Sequence, residues 1–107
     1  MADTDEKRTK GLSGRKNLDE KEAMLFVFPE KKQYQFWMKD MNFPIDIIFI
    51  NDDIVTNISK NAQPIDPKSP NYTIYSPTVD INYVLEVNAG QTDKHGIKIG
   101  DKVEIKK

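Results

Sequence analysis

Six consecutive residues, Ile45-Asp46-Ile47-Ile48-Phe49-Ile50, constrain this chain more than any others. Their β-branched and aromatic side chains favour extended backbone and give the strongest core signal in the sequence. Asn51-Asp52-Asp53 then supplies a turn into Ile54-Val55-Thr56-Asn57-Ile58, so the segment is expected to form a β-hairpin. One residue conflicts with this setting. Asp46 shares a strand face with Ile48 and Ile50, and an unpaired buried carboxylate costs several kcal/mol. Compensation is therefore expected from Lys39 across the preceding turn, from Arg15, or from turn amides near Pro44.

The other strands are read in the same way. Met24-Leu25-Phe26-Val27-Phe28 is a short continuous apolar run, closed by a polar turn at Pro29-Glu30-Lys31-Lys32. Tyr34 to Lys39 alternates, with Tyr34, Phe36 and Met38 on a core face and Gln35, Trp37 and Lys39 opposite, which predicts a hairpin with the first run. Ile81 to Val87 is a further strand. Gln91 to His95 fits one or two helical turns ended by Gly96, and Ile97 to Ile105 is expected to close the domain as a hairpin around Gly100-Asp101. Between these elements, Lys60 to Thr78 lacks periodicity and holds four of the six prolines. It reads as a long functional loop whose Tyr72, Tyr75 and Ser76 suit the lining of a cleft.

The fold class that follows is mainly β, a compact jelly-roll-like sandwich or barrel-like domain with a short N-terminal helical segment. Composition supports it once the chain is divided. The first 22 residues carry 12 of the 33 charged residues and 4 of the 40 hydrophobic ones, leaving about 42% hydrophobic residues in the remaining 85. Residues 1–10 are thus expected to be a polar, flexible lead-in and 11–107 a single β domain. With 16 basic against 17 acidic residues and mixed signs, the chain lacks the basic excess of a nucleic-acid binder. It has no cysteine, which excludes disulfides and thiolate chemistry, and no apolar run near the roughly 18 residues of a membrane span. A monomer without cofactor or metal is expected. The acidic start suits either a cytoplasmic protein or an extracytoplasmic one from which an export leader has been removed.

Several misplaced polar residues are candidate site residues. Trp37, the one tryptophan, falls on the same strand face as Lys39, an arrangement suited to stacking a sugar or another flat ligand. Glu86 interrupts Leu85 and Val87, and with Asp46 it could form a two-carboxylate hydrolytic pair, which requires a separation of roughly 5 to 9.5 Å across a cleft. His95, the single histidine, sits in a polar turn and suits a helix C-terminus better than a ligand set.

Taken together, Gly11-Leu12-Ser13-Gly14-Arg15, the Met24 to Phe28 run, Phe36-Trp37-Met38-Lys39, Pro44-Ile45-Asp46-Ile47-Ile48-Phe49, Leu85-Glu86-Val87 and Gly100-Asp101 resemble the bacterial and archaeal family called domain of unknown function 192. The likeness runs from about Lys7 to Ile105. It implies a jelly-roll-like, mainly β fold and recurring polar positions at Arg15, Trp37, Lys39, Asp46 and Glu86. The sequence departs from the family pattern at Ser13, where methionine is usual, at Ala23, where glycine is common, and at Asp40-Met41, where asparagine-threonine is usual. Many members of the family carry an export or lipoprotein leader. The family has no established reaction, so the resemblance supplies a fold and a residue cluster only.

The leading functional expectation is a non-enzymatic binding domain for a small polar ligand, such as a saccharide or an envelope component. Trp37 would stack on it, Arg15 and Lys39 would donate to its oxygens, and Asp46 and Glu86 would accept from its hydroxyls or orient the cations. Two alternatives stand beside it: a hydrolase using Asp46 and Glu86, and a purely structural or protein-interaction role for the polar cluster.

Overall fold

Every residue from Ile45 to Ile50 is buried, because their strand lies inside a sheet covered on both faces. The computed structural model describes residues 1–19, 21–66, 68 and 73–105. In chain order the elements are α1 (Asp5–Lys10), β1 (Met24–Lys32), β2 (Ile45–Asn51), β3 (Ile54–Ala62), β4 (Ile81–Asn88) and α2 (Gln91–Lys94). The four strands form one antiparallel sheet in the order β1-β4-β2-β3. The molecule is mainly β, as its alternation implies.

The sheet is the middle layer. Ile45, Ile47 and Phe49 project to one side, where Leu12, Leu18, Phe26, Met38, Met41 and Val84 complete a core closed by the segments before β1 and between β1 and β2. Ile48 and Ile50 project to the other side with Val55 and Tyr83, covered by Ile97, Val103 and Ile105 from the C-terminal segment. This is why β2 tolerates no polar face and reads as an unbroken apolar run except at Asp46.

Several sequence expectations change in the structure. β1 continues through Pro29 to Lys32 instead of turning there, because it is an edge strand on which a missing N–H is tolerated and its register shifts between Val27 and Lys32. Its ladder partner is β4 and not the 34–39 segment. That segment keeps its alternation, with Gln35, Trp37 and Lys39 exposed and Met38 buried, yet it joins the ladder network through one bridge, Phe36 with Tyr75. The first residues of the expected loop, Lys60 to Ala62, belong to β3. The closing hairpin is replaced by an irregular segment whose Lys102 bridges Ile54, with Val103 N–H donating to the Asp53 carbonyl. The β2–β3 hairpin, β4 and the short helix at Gln91 form as read, and His95 is the C-cap residue of α2.

The short N-terminal helical segment expected from the sequence forms within the first ten residues. Residues 5–10 are helical: Thr4 caps α1 by accepting from the Lys7 N–H, acids occupy its first turn and bases its last. The mixed charge that resembles a flexible tail is the charge order of a helix. Ahead of it, Ala2 is buried and exchanges hydrogen bonds with Leu25 and Val27, covering part of the β1 edge.

Two glycines between α1 and β1 differ in a measurable way. Gly11 has φ +47°, and a Cβ there would lie 2.9 Å from the Phe26 ring, whereas Gly14 has φ +79° and open space. Gly14→Ala is expected to cost about 1 kcal/mol from backbone strain alone. Gly11→Ala adds displacement of a core ring and is expected to cost about 2 to 3 kcal/mol in urea denaturation.

Candidate functional site

Asp46 is fully buried, and its carboxylate is satisfied by neither Lys39 nor Arg15. Between the pairs Ile45↔Ala62 and Ile47↔Ser59, β3 has two residues where β2 has one, and Asn61 takes a left-handed φ of 54°. This bulge turns the Asn61 N–H out of the ladder, and it donates to Asp46 Oδ1 at 2.8 Å. Asp46 Oδ2 accepts from Gly90 N–H at 3.1 Å, Thr92 N–H at 3.1 Å and Thr92 Oγ1 at 2.7 Å. The N-cap residue of α2 is Gly90, which has no side chain to cap with, so the acceptor comes from β2 instead. The expected compensation by turn amides is correct in kind, but the turn is at Gly90 and not at Pro44.

Arg15 is engaged elsewhere, with its guanidinium 3.4 Å from Glu22. Trp37 is half exposed, and Lys39 Nζ lies 5.3 Å from its ring centroid, so these two are brought together as their alternation implies. Asp46 and Glu86 are not. Asp46 pairs across the ladder with Val87, and Glu86 with Ile47, so the two carboxyl groups project from opposite faces of the sheet. They cannot flank one substrate bond.

Glu86 has a different environment. Its cross-strand neighbours on β1 and β2 are Met24 and Ile47, neither of which can donate a side-chain proton to it. It is 7% exposed and has no hydrogen bond or ion pair among the described residues. Burial pushes its carboxyl from the ordinary 4.5 up to about 8.

Glu86 lines a cleft of about 580 Å³. α1 and the turn after it form one wall with Arg8, Lys10, Leu12 and Ser13. β1 contributes Phe26, Phe28 and Lys32, and the 34–41 segment contributes Tyr34, Phe36, Trp37 and Met41. Phe28 and Tyr34 stack at 3.8 Å, and Phe36 meets Phe28 edge to face at 6.2 Å. Of the sequence candidates, Trp37 and Glu86 share this cleft, while Arg15, Lys39 and Asp46 do not line it. Tyr75 and Ser76 are also absent from the lining, and Tyr72 lies outside the described residues. The reading from sequence missed the wall formed by α1, since a helix without buried residues carries no periodic signal.

The DUF192 family, described as an uncharacterized ACR, matches residues 1–105. This chain belongs to the DUF192 family. A protein of unknown function from Novosphingobium aromaticivorans DSM 12444 is 38% identical with a TM-score of 0.87, the match covering 97% of this chain and 71% of that one. A "putative transcription regulator" from Sinorhizobium meliloti 1021 is 33% identical with a TM-score of 0.86, the match covering 96% and 77%. No curated protein matches the chain.

The two carboxyl groups differ in what their removal should do. Hydrogen bonds to a buried charge are worth about 1.5 to 3 kcal/mol, and an asparagine amide at position 46 would turn a donor toward other donors. Asp46→Asn is therefore expected to lose about 3 kcal/mol in urea denaturation. At Glu86, the folded state holds a proton that the unfolded state releases between 4.5 and about 8. Its contribution therefore makes stability fall as pH rises through that window, by up to about 1.4 kcal/mol per pH unit. Glu86→Gln should remove that slope and be the more stable protein near pH 8, as read from urea midpoints between about pH 5 and about pH 8.

Proposed function

We propose that this protein is a non-enzymatic binding module for a small polar ligand, taken up in the cleft lined by Trp37 and Glu86. One observation carries the reading: a buried carboxyl without a partner among the described residues opens on a cleft whose β1 and 34–41 side is rich in aromatic rings, opposite a polar wall from α1. The aromatic side takes the flat or apolar side of a ligand, and the carboxyl supplies directional hydrogen bonds that fix its orientation. A saccharide or an envelope component carrying ring hydroxyls has both properties.

The residues assigned to binding are fewer than the sequence candidates. Trp37, with Lys39 beside its ring, would contact the ligand directly, and Glu86 would bond its polar group. Asp46 acts on stability through its four hydrogen bonds. The hydrolytic alternative loses its geometry because its two carboxyl groups face apart. The regulator name of the S. meliloti neighbour belongs to that protein, and the balance of 16 basic and 17 acidic residues does not favour nucleic acid here.

Trp37 is the one tryptophan, so its emission reports on the cleft directly. Titration with a panel of mono- and disaccharides and envelope fragments is expected to shift Trp37 emission for at least one member. Glu86→Gln should weaken that binding by roughly tenfold, equivalent to about one lost hydrogen bond. Arg15→Gln should leave it unchanged. An empty panel, together with no carried ligand in native mass spectrometry of the purified protein, would remove the proposal's support.

A further inference from the structure

The charge of the ligand can be argued from the cleft itself. We propose that the ligand presents a cationic nitrogen, an ammonium or guanidinium group, to Glu86, while the aromatic side chains of the cleft take the surface around it. This rests on the binding role proposed for the same cleft.

Three observations converge on a cation. First, the strands beside Glu86 offer it only Met24 and Ile47, so its acceptor capacity is not taken up by any of the described residues. A positively charged donor satisfies a carboxylate with charge-assisted hydrogen bonds and offsets the charge that burial penalises, which a neutral hydroxyl cannot do. Second, aromatic faces here already hold cations: Arg8 lies 5.4 Å from the Phe28 centroid and Lys39 5.3 Å from that of Trp37. Third, most of the other charges around the cleft are internally matched. Arg8 pairs with Asp5 on α1 and donates to the Val27 carbonyl, and Lys32 pairs with Glu30 on β1. Tyr34 donates to the Glu30 carbonyl. Lys10 and Lys39 remain, both exposed, where solvent screens their repulsion.

The sign of the pH dependence separates this from a neutral ligand. A cation selects the ionised carboxyl, so binding expels the proton that burial holds on Glu86 up to about pH 8. Affinity should therefore rise about tenfold per pH unit below that value and level off above it. A neutral ligand accepting from the protonated carboxyl would show the reverse.

The test uses matched probes, n-butylammonium and butylguanidinium against n-butanol, titrated into the whole protein while following Trp37 emission and the ¹³C resonance of the Glu86 carboxyl. The cations are expected to bind, to move the Glu86 titration toward ordinary carboxylate values, and to gain affinity as pH rises from about 6 to about 7.5. Glu86→Gln should abolish the pH dependence, with thermal melting confirming that it is folded. Equal or better binding of butanol, or cation affinity that stays flat or falls as pH rises, would overturn the cationic assignment while leaving a binding cleft intact. A neutral saccharide that binds where the cations do not would have the same meaning. If the cations, butanol and the saccharide panel all leave Trp37 and Glu86 unmoved, the binding role falls as well.

Discussion

The carboxylate of Asp46 ties together the β3 bulge and the start of α2. From the centre of the most apolar strand it accepts from the β3 bulge at Asn61 and from the start of α2 at Gly90 and Thr92. Each of those donors is stranded by its own local structure. A bulge turns an amide out of the ladder, and the first amides of a helix have no carbonyl before them. A single buried acceptor set resolves both, and Lys60 of the bulge reinforces the arrangement by pairing with Asp93 of α2 at 2.6 Å. An apolar residue at position 46 would fit the strand but leave these amides buried without partners, which is the costlier outcome.

That explains which parts of the fold were legible in the sequence. Elements with a local signature emerged directly: the β2–β3 hairpin from its β-branched run and acidic turn, β4 from its alternation, and α2 from a short polar stretch ended by glycine. What failed was pairing. The alternation of Tyr34 to Lys39 is real in burial, yet an extended segment becomes a ladder strand only where a partner's hydrogen bonds are open, and β1 gives its ladder to β4. Partner choice depends on contacts distant in sequence. The donors to Asp46 illustrate the same limit, lying 15 residues away at Asn61 and 44 to 46 away at Gly90 and Thr92.

The candidate site was legible to a similar depth. Trp37 and Glu86 stood out as residues whose type conflicts with their position, and they do share a cleft. Arg15 stood out through the family resemblance and has its own partner in Glu22. The Arg8 wall gave no signal, because a charged residue in a charged stretch violates nothing. Its role appears only when α1 is folded against β1 and the guanidinium reaches the Val27 carbonyl and the Phe28 ring.

Asp46 and Glu86 make a controlled comparison within one sheet. Both are carboxylates on neighbouring strands, both are buried, and one ladder step separates their pairing positions. They differ in facing opposite sides. The side of Asp46 is met by a helix start and a bulge, whose amides fill its acceptor sites. The side of Glu86 is met by aromatic rings and a cleft, which fill none. Burial without hydrogen bonds stabilises nothing in the fold, so Glu86 opposes folding at neutral pH, whereas Asp46 holds the bulge and the start of α2 through its hydrogen bonds. A residue that opposes folding without a partner among the described residues is free to take one from outside them, and Glu86 meets open space in the cleft.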